Sequence, residues 1–298
     1  MHFFGKKRLW RLTFASNWNI IGISDTPSSH RKRFFMLLTF LFALLSLAVT
    51  AAVYFTLWGS ASPLWLFAIA VGAFLAFNIL YLLFITITSP LLSKDAQKKS
   101  SRFAYSVVGA TADWVLFMLG FRVRMRGKDK LPKTPFIVIS NHRSAMDALV
   151  SLRALRGHSL CFISKASVLR WPVVGNYMRR AGHLGIERDM PLQSLRTIKA
   201  AAKRIKEDGV SFGIFPEGTR TKTGKVGEFK EGAFLAAKKA ECPIVVVTTE
   251  GTEHSLRRLS PKATVTVRAV ISADEVKQST PAALCESTHK IITEALGE

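Results

Sequence analysis

The chain has 298 residues, 49% of them hydrophobic, and carries 42 Lys and Arg against 20 Asp and Glu, a formal charge of +22. That surplus calls for an anionic partner (lipid headgroups, a phosphorylated substrate or nucleic acid), and the length allows one large domain or two small ones. Cys161, Cys242 and Cys285 lie far apart with no Cys-x-x-Cys or Cys/His ligand spacing. This argues against a disulfide framework or a zinc site and reads as three small buried apolar residues in a reducing compartment.

Residues 1–33 form a basic tail whose start, Phe3-Phe4-Gly5-Lys6-Lys7-Arg8-Leu9-Trp10, mixes aromatic and basic side chains. It either rests on an anionic leaflet, at about 1 kcal/mol per basic residue near that surface, or stays solvated. From Phe34 to Ser93 there is no charged residue. Two apolar stretches, Phe34–Trp58 and Leu64–Thr88, are joined by Gly59-Ser60-Ala61-Ser62-Pro63. Each reaches the roughly 20 residues needed to cross a hydrocarbon core of about 30 Å, and Trp58 and Trp65 flank the connection where aromatic rings favour the interface. Arg31-Lys32-Arg33 precede the first stretch; Lys94, Lys98, Lys99 and Arg102 follow the second. The positive-inside rule then puts both ends of a transmembrane hairpin, residues 34–92, in the cytoplasm. Two buried helices of a soluble core rarely show uncharged runs of this length. A cleaved signal peptide fits poorly, because the first run starts late, is long and is followed at once by another.

Residues 93–298 read as a cytoplasmic domain. Phe103–Leu119 either lies along the membrane or packs under the domain. Beyond it the pattern predicts strands at Phe121–Arg126, Phe136–Ser140, Leu160–Ser164, His183–Glu187, Val210–Phe215, Ile244–Thr249 and Thr264–Ile271. Leu192, Leu195, Ile198, Ala202 and Ile205 recur at helical spacing with Gly209 as a C-terminal cap, and Ser279-Thr280-Pro281 opens a last helix toward Leu296. Alternation of this kind predicts an α/β fold: a mixed, mostly parallel sheet flanked by helices. Ligand sites in such sheets gather beyond the carboxyl ends of strands.

Two loops stand at such ends. Ser140-Asn141-His142-Arg143-Ser144-Ala145-Met146-Asp147 sets a histidine five residues before a carboxylate. Histidine can take a proton from an alcohol near neutral pH, and a carboxylate can fix its tautomer. Five residues is about 140° around a helix, so the two meet only if His142 precedes a helix and Asp147 sits in its first turn, where Asn141 and Ser144 offer caps. The competing reading is purely structural: Ser144-Ala145-Met146-Asp147 is also a capping box. In Phe215-Pro216-Glu217-Gly218-Thr219-Arg220 the proline and glycine specify a tight turn from which Glu217 and Arg220 project, and a guanidinium forks well onto phosphate. The alternative is a surface turn with a local ion pair. His183-Leu184-Gly185-Ile186-Glu187-Arg188 ends a further strand with another arginine.

Asn141-His142 with Asp147, then Gly185-Ile186-Glu187-Arg188, then Phe215 to Arg220, then Cys242-Pro243-Ile244-Val245 resemble, in order, the four motifs of the glycerophospholipid acyltransferase family. Lys165 through Pro172 to Gly175 and Phe229-Lys230-Glu231-Gly232 extend the resemblance, which covers about Phe121 to Gly251. In the fourth motif, Val246 or its neighbour stands where a second proline is usual. The resemblance implies an integral membrane protein, as in a bacterial inner membrane, with its α/β domain and both termini on the cytoplasmic side. It would transfer an acyl chain from acyl-CoA or an acyl-carrier protein to the free hydroxyl of lysophosphatidic acid, giving phosphatidic acid. By position, His142 would be the base and Asp147 its orienting partner. Arg188 and Arg220 would hold the acceptor phosphate, Glu217, Gly218 and Thr219 would meet the acceptor, and Lys165 and Lys230 complete the binding set. No metal or other cofactor and no nucleic-acid partner is implied.

The sequence admits four rivals. The same chemistry could act on another lysolipid or an amino-lipid, or water could replace the alcohol. A covalent acyl-enzyme on Ser144 or Cys161 is disfavoured, since Ser144 lacks a Gly-x-Ser-x-Gly setting. A non-catalytic scaffold for anionic lipid or nucleic acid would account for the charge. It has no use for His142 with Asp147, however, and the domain lacks a nucleic-acid module or basic residues interleaved with stacking aromatics. His183 and His254 read as interfacial or packing residues.

Overall fold

A computed structural model describes residues 48–49, 51–52, 55–56, 63–92, 100–187, 190–221, 223–253 and 260–298. The basic tail lies outside these, as do Arg188, His254 and the first expected span apart from the helical residues 48–49, 51–52 and 55–56. All seven expected strands form: β1 (Arg122–Arg126), β2 (Ile137–Ser140), β3 (Leu160–Lys165), β4 (Leu184–Ile186), β5 (Ser211–Ile214), β6 (Ile244–Glu250) and β7 (Lys262–Ile271). They join in one sheet of order β1-β7-β6-β2-β5-β3-β4. Every pairing is parallel except β6 with β7, so the sheet is mixed and mostly parallel.

The strand sequences explain their places. β2 and β5 are buried at every residue, and β6 at all but Glu250, as parallel strands covered on both faces must be. β1 alternates instead. Val123 and Met125 pack inward while Arg122, Arg124 and Arg126 are exposed, and charge on an edge strand blocks further pairing.

One face of the sheet is covered by α6 (Pro191–Asp208), α7 (Gly232–Ala240) and α9 (Pro281–Leu296), where Ile198, Phe234 and Ile292 meet Ile137, Ile139 and Phe212. The other is covered by α2 (Arg102–Met118) and α3 (Met146–Ala154), where Leu116 and Val150 meet Phe136, Val138 and Val245. Two short helices, α4 (Ala166–Leu169) and α5 (Val174–Ala181), follow β3, and α8 (Ala273–Gln278) follows β7. Thr280 caps α9 by accepting the Ala283 N–H, and α6 stops at Gly209 with φ +66°. Leu192 is a correction to the expected apolar stripe of α6: it lies in the first turn and is exposed, so burial begins further along, at Ile198. Cys285 is likewise only half-buried, whereas Cys161 and Cys242 are buried.

Helix α1 (Pro63–Thr88) has 26 residues, none charged, about 39 Å at 1.5 Å per residue. Phe67, Leu75, Ile79 and Ile87 are exposed on it. Its carboxyl end is fastened to the domain: Tyr81 and Ile85 are buried beside Ala104, Val107 and Tyr177. Trp114 Nε1 donates to Asn78 Oδ1 at 2.8 Å, and Asn176 Nδ2 donates to Ser89 Oγ at 2.9 Å. α2 packs under the domain through Ala104, Val107, Ala112 and Leu116 and exposes Phe117 and Met118.

Candidate active site

The site begins where β2 ends. Asn141 does not cap the next helix, as its type suggested. Its amide pairs with the Thr249 backbone instead, Nδ2 donating to the carbonyl at 2.9 Å and Oδ1 accepting the N–H at 2.8 Å. This imitates one more residue of β-ladder and fixes the chain as it leaves the sheet. His142 then stands in the loop and Asp147 in the first turn of α3, with Nδ1 2.9 Å from Oδ2.

Asp147 is 0% exposed, and both its oxygens are engaged. Oδ2 also accepts the N–H groups of Arg143 at 2.7 Å and Ser144 at 2.8 Å, and Oδ1 accepts the Thr252 hydroxyl at 2.5 Å. The capping and catalytic readings of this carboxylate are therefore not alternatives: one oxygen closes the helix start and braces the ring. Because N–H donors converge on Oδ2, the proton of this contact sits on Nδ1, and Nε2 keeps its lone pair. The ring is partly open to solvent, with 16% of the side chain exposed.

The loop after β5 departs from expectation at Glu217. Rather than projecting, this side chain is buried, and it pairs with backbone rather than with Arg220. Oε1 accepts the His142 N–H at 2.7 Å and Oε2 the Gly227 N–H at 3.0 Å. Burial raises its carboxyl above the ordinary 4.5, and the two N–H bonds pull it partly back. The Thr221 N–H donates to the His142 carbonyl and the Lys230 N–H to that of Pro216, so both motif loops are tied to one another. Gly218 takes φ +72°, and a Cβ there would lie 3.5 Å from Lys230 Nζ, which places the lysine stem over the turn. Thr219, Arg220, Lys230 and Lys165 are exposed. β2, β5 and β3 are parallel neighbours, so His142 and Arg220 in the carboxyl-end loops and Lys165 at the end of β3 share one edge of the sheet. Arg188 follows β4 just outside the described residues; Glu187 before it pairs with Arg170 at 2.9 Å.

Behind the site runs a stack of rings. His142 lies on Phe215 at 4.1 Å and 13°, Phe215 on Phe162 at 5.5 Å and 12°, and Phe162 on His183 at 6.4 Å and 22°. Gly213 makes room for it, since a Cβ there would come within 2.4 Å of the Phe162 ring. Phe162 and His183 also line a cavity of about 120 Å³ with Ile85 of α1, Val115 of α2, Leu149 of α3 and Met178 of α5. Among the described residues, no group of three or more His, Cys, Asp and Glu is placed to hold a metal ion.

Sequence reasoning missed Thr252, the Asn141 pairing and the cavity. Thr252 has one local sign. It follows Gly251, whose φ is +82° and whose added Cβ would meet the Lys262 carbonyl oxygen at 2.1 Å, so only glycine turns the chain toward Asp147 there.

Residues 122–250 match the family described as Acyltransferase. A chloroplastic 1-acyl-sn-glycerol-3-phosphate acyltransferase of Brassica napus is 37% identical over 134 residues, 44% of this chain and 38% of the relative. The 1-acyl-sn-glycerol-3-phosphate acyltransferase alpha of Ovis aries is 33% identical over 134 residues, 45% of this chain and 46% of the relative. The chain thus spans less than half the length of these two relatives. The crystal structure of the 1-acyl-sn-glycerophosphate acyltransferase of Thermotoga maritima shares the fold, with a TM-score of 0.56 at 23% identity over 90% of this chain and 96% of that one.

Proposed function

We propose that this chain, whose residues 122–250 carry an Acyltransferase domain, is a membrane-anchored enzyme that moves a fatty acyl group from a thioester to the free hydroxyl of lysophosphatidic acid. The observation that carries the reading is the brace on His142. A fully buried carboxylate, fixed by three further donors, holds Nδ1 and leaves Nε2 as an acceptor with no partner among the described residues, at the carboxyl edge of the sheet.

Nε2 removes the proton as the acceptor oxygen attacks the thioester carbonyl. The C–O bond forms, the C–S bond breaks, and the imidazolium returns the proton to the departing thiolate. Asp147 stabilises that imidazolium. General-base help of this kind contributes about 10²–10⁴ in rate. The acyl chain enters the apolar cavity beside Phe162, and Arg220 with Arg188 meets the acceptor phosphate. Lys230 and Lys165 add positive charge along the same edge, whereas Glu217 holds the loops in register. The donor is acyl-CoA or an acyl-carrier protein, both anionic.

Helix α1, with the apolar stretch before it as its hairpin partner, anchors the domain to the cytoplasmic face of a membrane such as the bacterial inner membrane. The acceptor then reaches His142 without leaving the bilayer. The support is α1's uncharged length and the docking of its end against α2 and α5, beside the cavity.

The test offers the purified full chain in lipid nanodiscs a panel of lysolipids with labelled acyl-CoA. Lysophosphatidic acid should be acylated, with His142→Ala lowering kcat about 10²–10⁴-fold. Arg220→Ala should raise the acceptor KM about tenfold, as loss of a charged phosphate contact predicts. Release of free fatty acid in place of acylated lipid, or full activity of His142→Ala, would sink the proposal.

A further inference from the structure

The cavity is lined by the polar side chains Thr111, Ser164, Tyr177 and His183, and of these His183 has a buried ring nitrogen with no partner among the described residues. His183 is 3% exposed, and its Nδ1 accepts the Phe162 N–H at 3.1 Å. That bond assigns the proton to Nε2, which is therefore a donor. Nε2 is buried and has no hydrogen-bond partner among the described residues, while the ring lines the cavity among Val108, Leu152 and Met178. Burial lowers the imidazole pKa to about 4, so near neutral pH the group is a neutral donor and not a cation. Three ring steps separate it from His142, which puts it along the acyl chain and away from the reacting carbonyl.

We propose that His183 is a specificity residue that selects acyl chains bearing a hydroxyl or oxo oxygen inside the cavity. A plain chain would press methylenes against an unmet N–H, whereas an oxygen at that depth accepts the bond. Buried polar groups discriminate in this way because the wrong ligand leaves them unpaired. The rest of the wall is mostly apolar, with Thr111, Ser164 and Tyr177 its other polar side chains, so the chain itself remains a fatty chain. The Nδ1 bond holds the ring and prevents it from turning to hide its donor.

This inference rests on the acyl-transfer reading above, and one experiment separates the two. The wild-type chain in nanodiscs, with lysophosphatidic acid as acceptor, is given CoA thioesters of one chain length, either plain or with the hydroxyl at successive carbons. At one position kcat/KM should exceed that of the plain chain roughly tenfold, the scale of one buried hydrogen bond. His183→Asn can still accept the Phe162 N–H but is too short to reach the cavity, so the preference should fall toward one. His183→Gln extends an amide N–H into the cavity and should restore part of it. Transfer of plain and hydroxylated chains at equal rates at every position overturns the inference and leaves acyl transfer standing. So does a His183→Asn variant that keeps the wild-type preference. No transfer from any thioester overturns both.

Discussion

His142 and His183 stand at the two ends of one stack of rings, and their surroundings give them opposite proton arrangements. At His142, Nδ1 donates to a carboxylate and Nε2 is left as an acceptor; at His183, Nδ1 accepts a backbone N–H and Nε2 is left as a donor. The first ring is partly exposed at the sheet edge. The second is sealed among apolar side chains, and burial holds its pKa near 4. The partner of Nδ1 therefore decides what the far nitrogen can do: base chemistry in one case, recognition in the other. Histidine content or spacing alone carries none of this.

The largest effect should come from altering the partner itself. In Asp147→Asn the N–H groups of Arg143 and Ser144 select the amide oxygen for the Oδ2 position, and the amide NH₂ turns toward Thr252, whose hydroxyl can accept. The His142 tautomer should survive, with only the negative charge lost. We expect kcat to fall about 10²-fold, less than the ~10⁴ that follows when an asparagine imposes the wrong tautomer in a serine-protease triad. A loss of 10⁴ would mean that the ring has switched nitrogens and that the backbone donors do not control it. Next comes Thr252→Val, which keeps the shape and removes the donor from Asp147 Oδ1. An unmet buried acceptor costs about 1–3 kcal/mol, so the melting temperature should drop and kcat should fall about tenfold. Thermal melts and initial rates identical to wild type would show that Thr252 does not hold the carboxylate.

Much of the fold was legible because local chemistry carried it. β2 and β6 are β-branched runs, Gly209 and Thr280 are caps of standard type, and the seven strands fall within a residue or two of their expected bounds. The strand order was not legible, since nothing in β7's composition says that it inserts between β1 and β6, antiparallel to one and parallel to the other. At the site, His142 and Asp147 were readable because five residues of chain bring them together. Thr252 lies 105 positions from Asp147, and Glu217 lies 75 positions from the N–H that it holds. The turn residues around Glu217 describe the backbone and not the direction of its side chain. The cavity is walled by parts of α1, α2, α3, β3 and α5, and no one of them is unusual in sequence.

Glu217 gives the smallest effect and the finest test of the contrast between the rings, because it and His183 respond to acid with opposite sign. Burial raises the Glu217 carboxyl above 4.5. As pH falls from that raised value to 4.5, the folded chain binds a proton that the unfolded chain has not yet taken, and stability rises. His183 is lowered from 6.5 to about 4. Between those values the unfolded chain binds a proton that the folded chain refuses, and stability falls as pH drops. Glu217→Gln removes the first contribution and keeps the second. The variant should therefore lose more stability than wild type on acidification, and the gap between their melting temperatures should widen from pH 6.5 toward 4.5. A gap that stays constant, or closes, would show that the Glu217 carboxylate titrates as if in water.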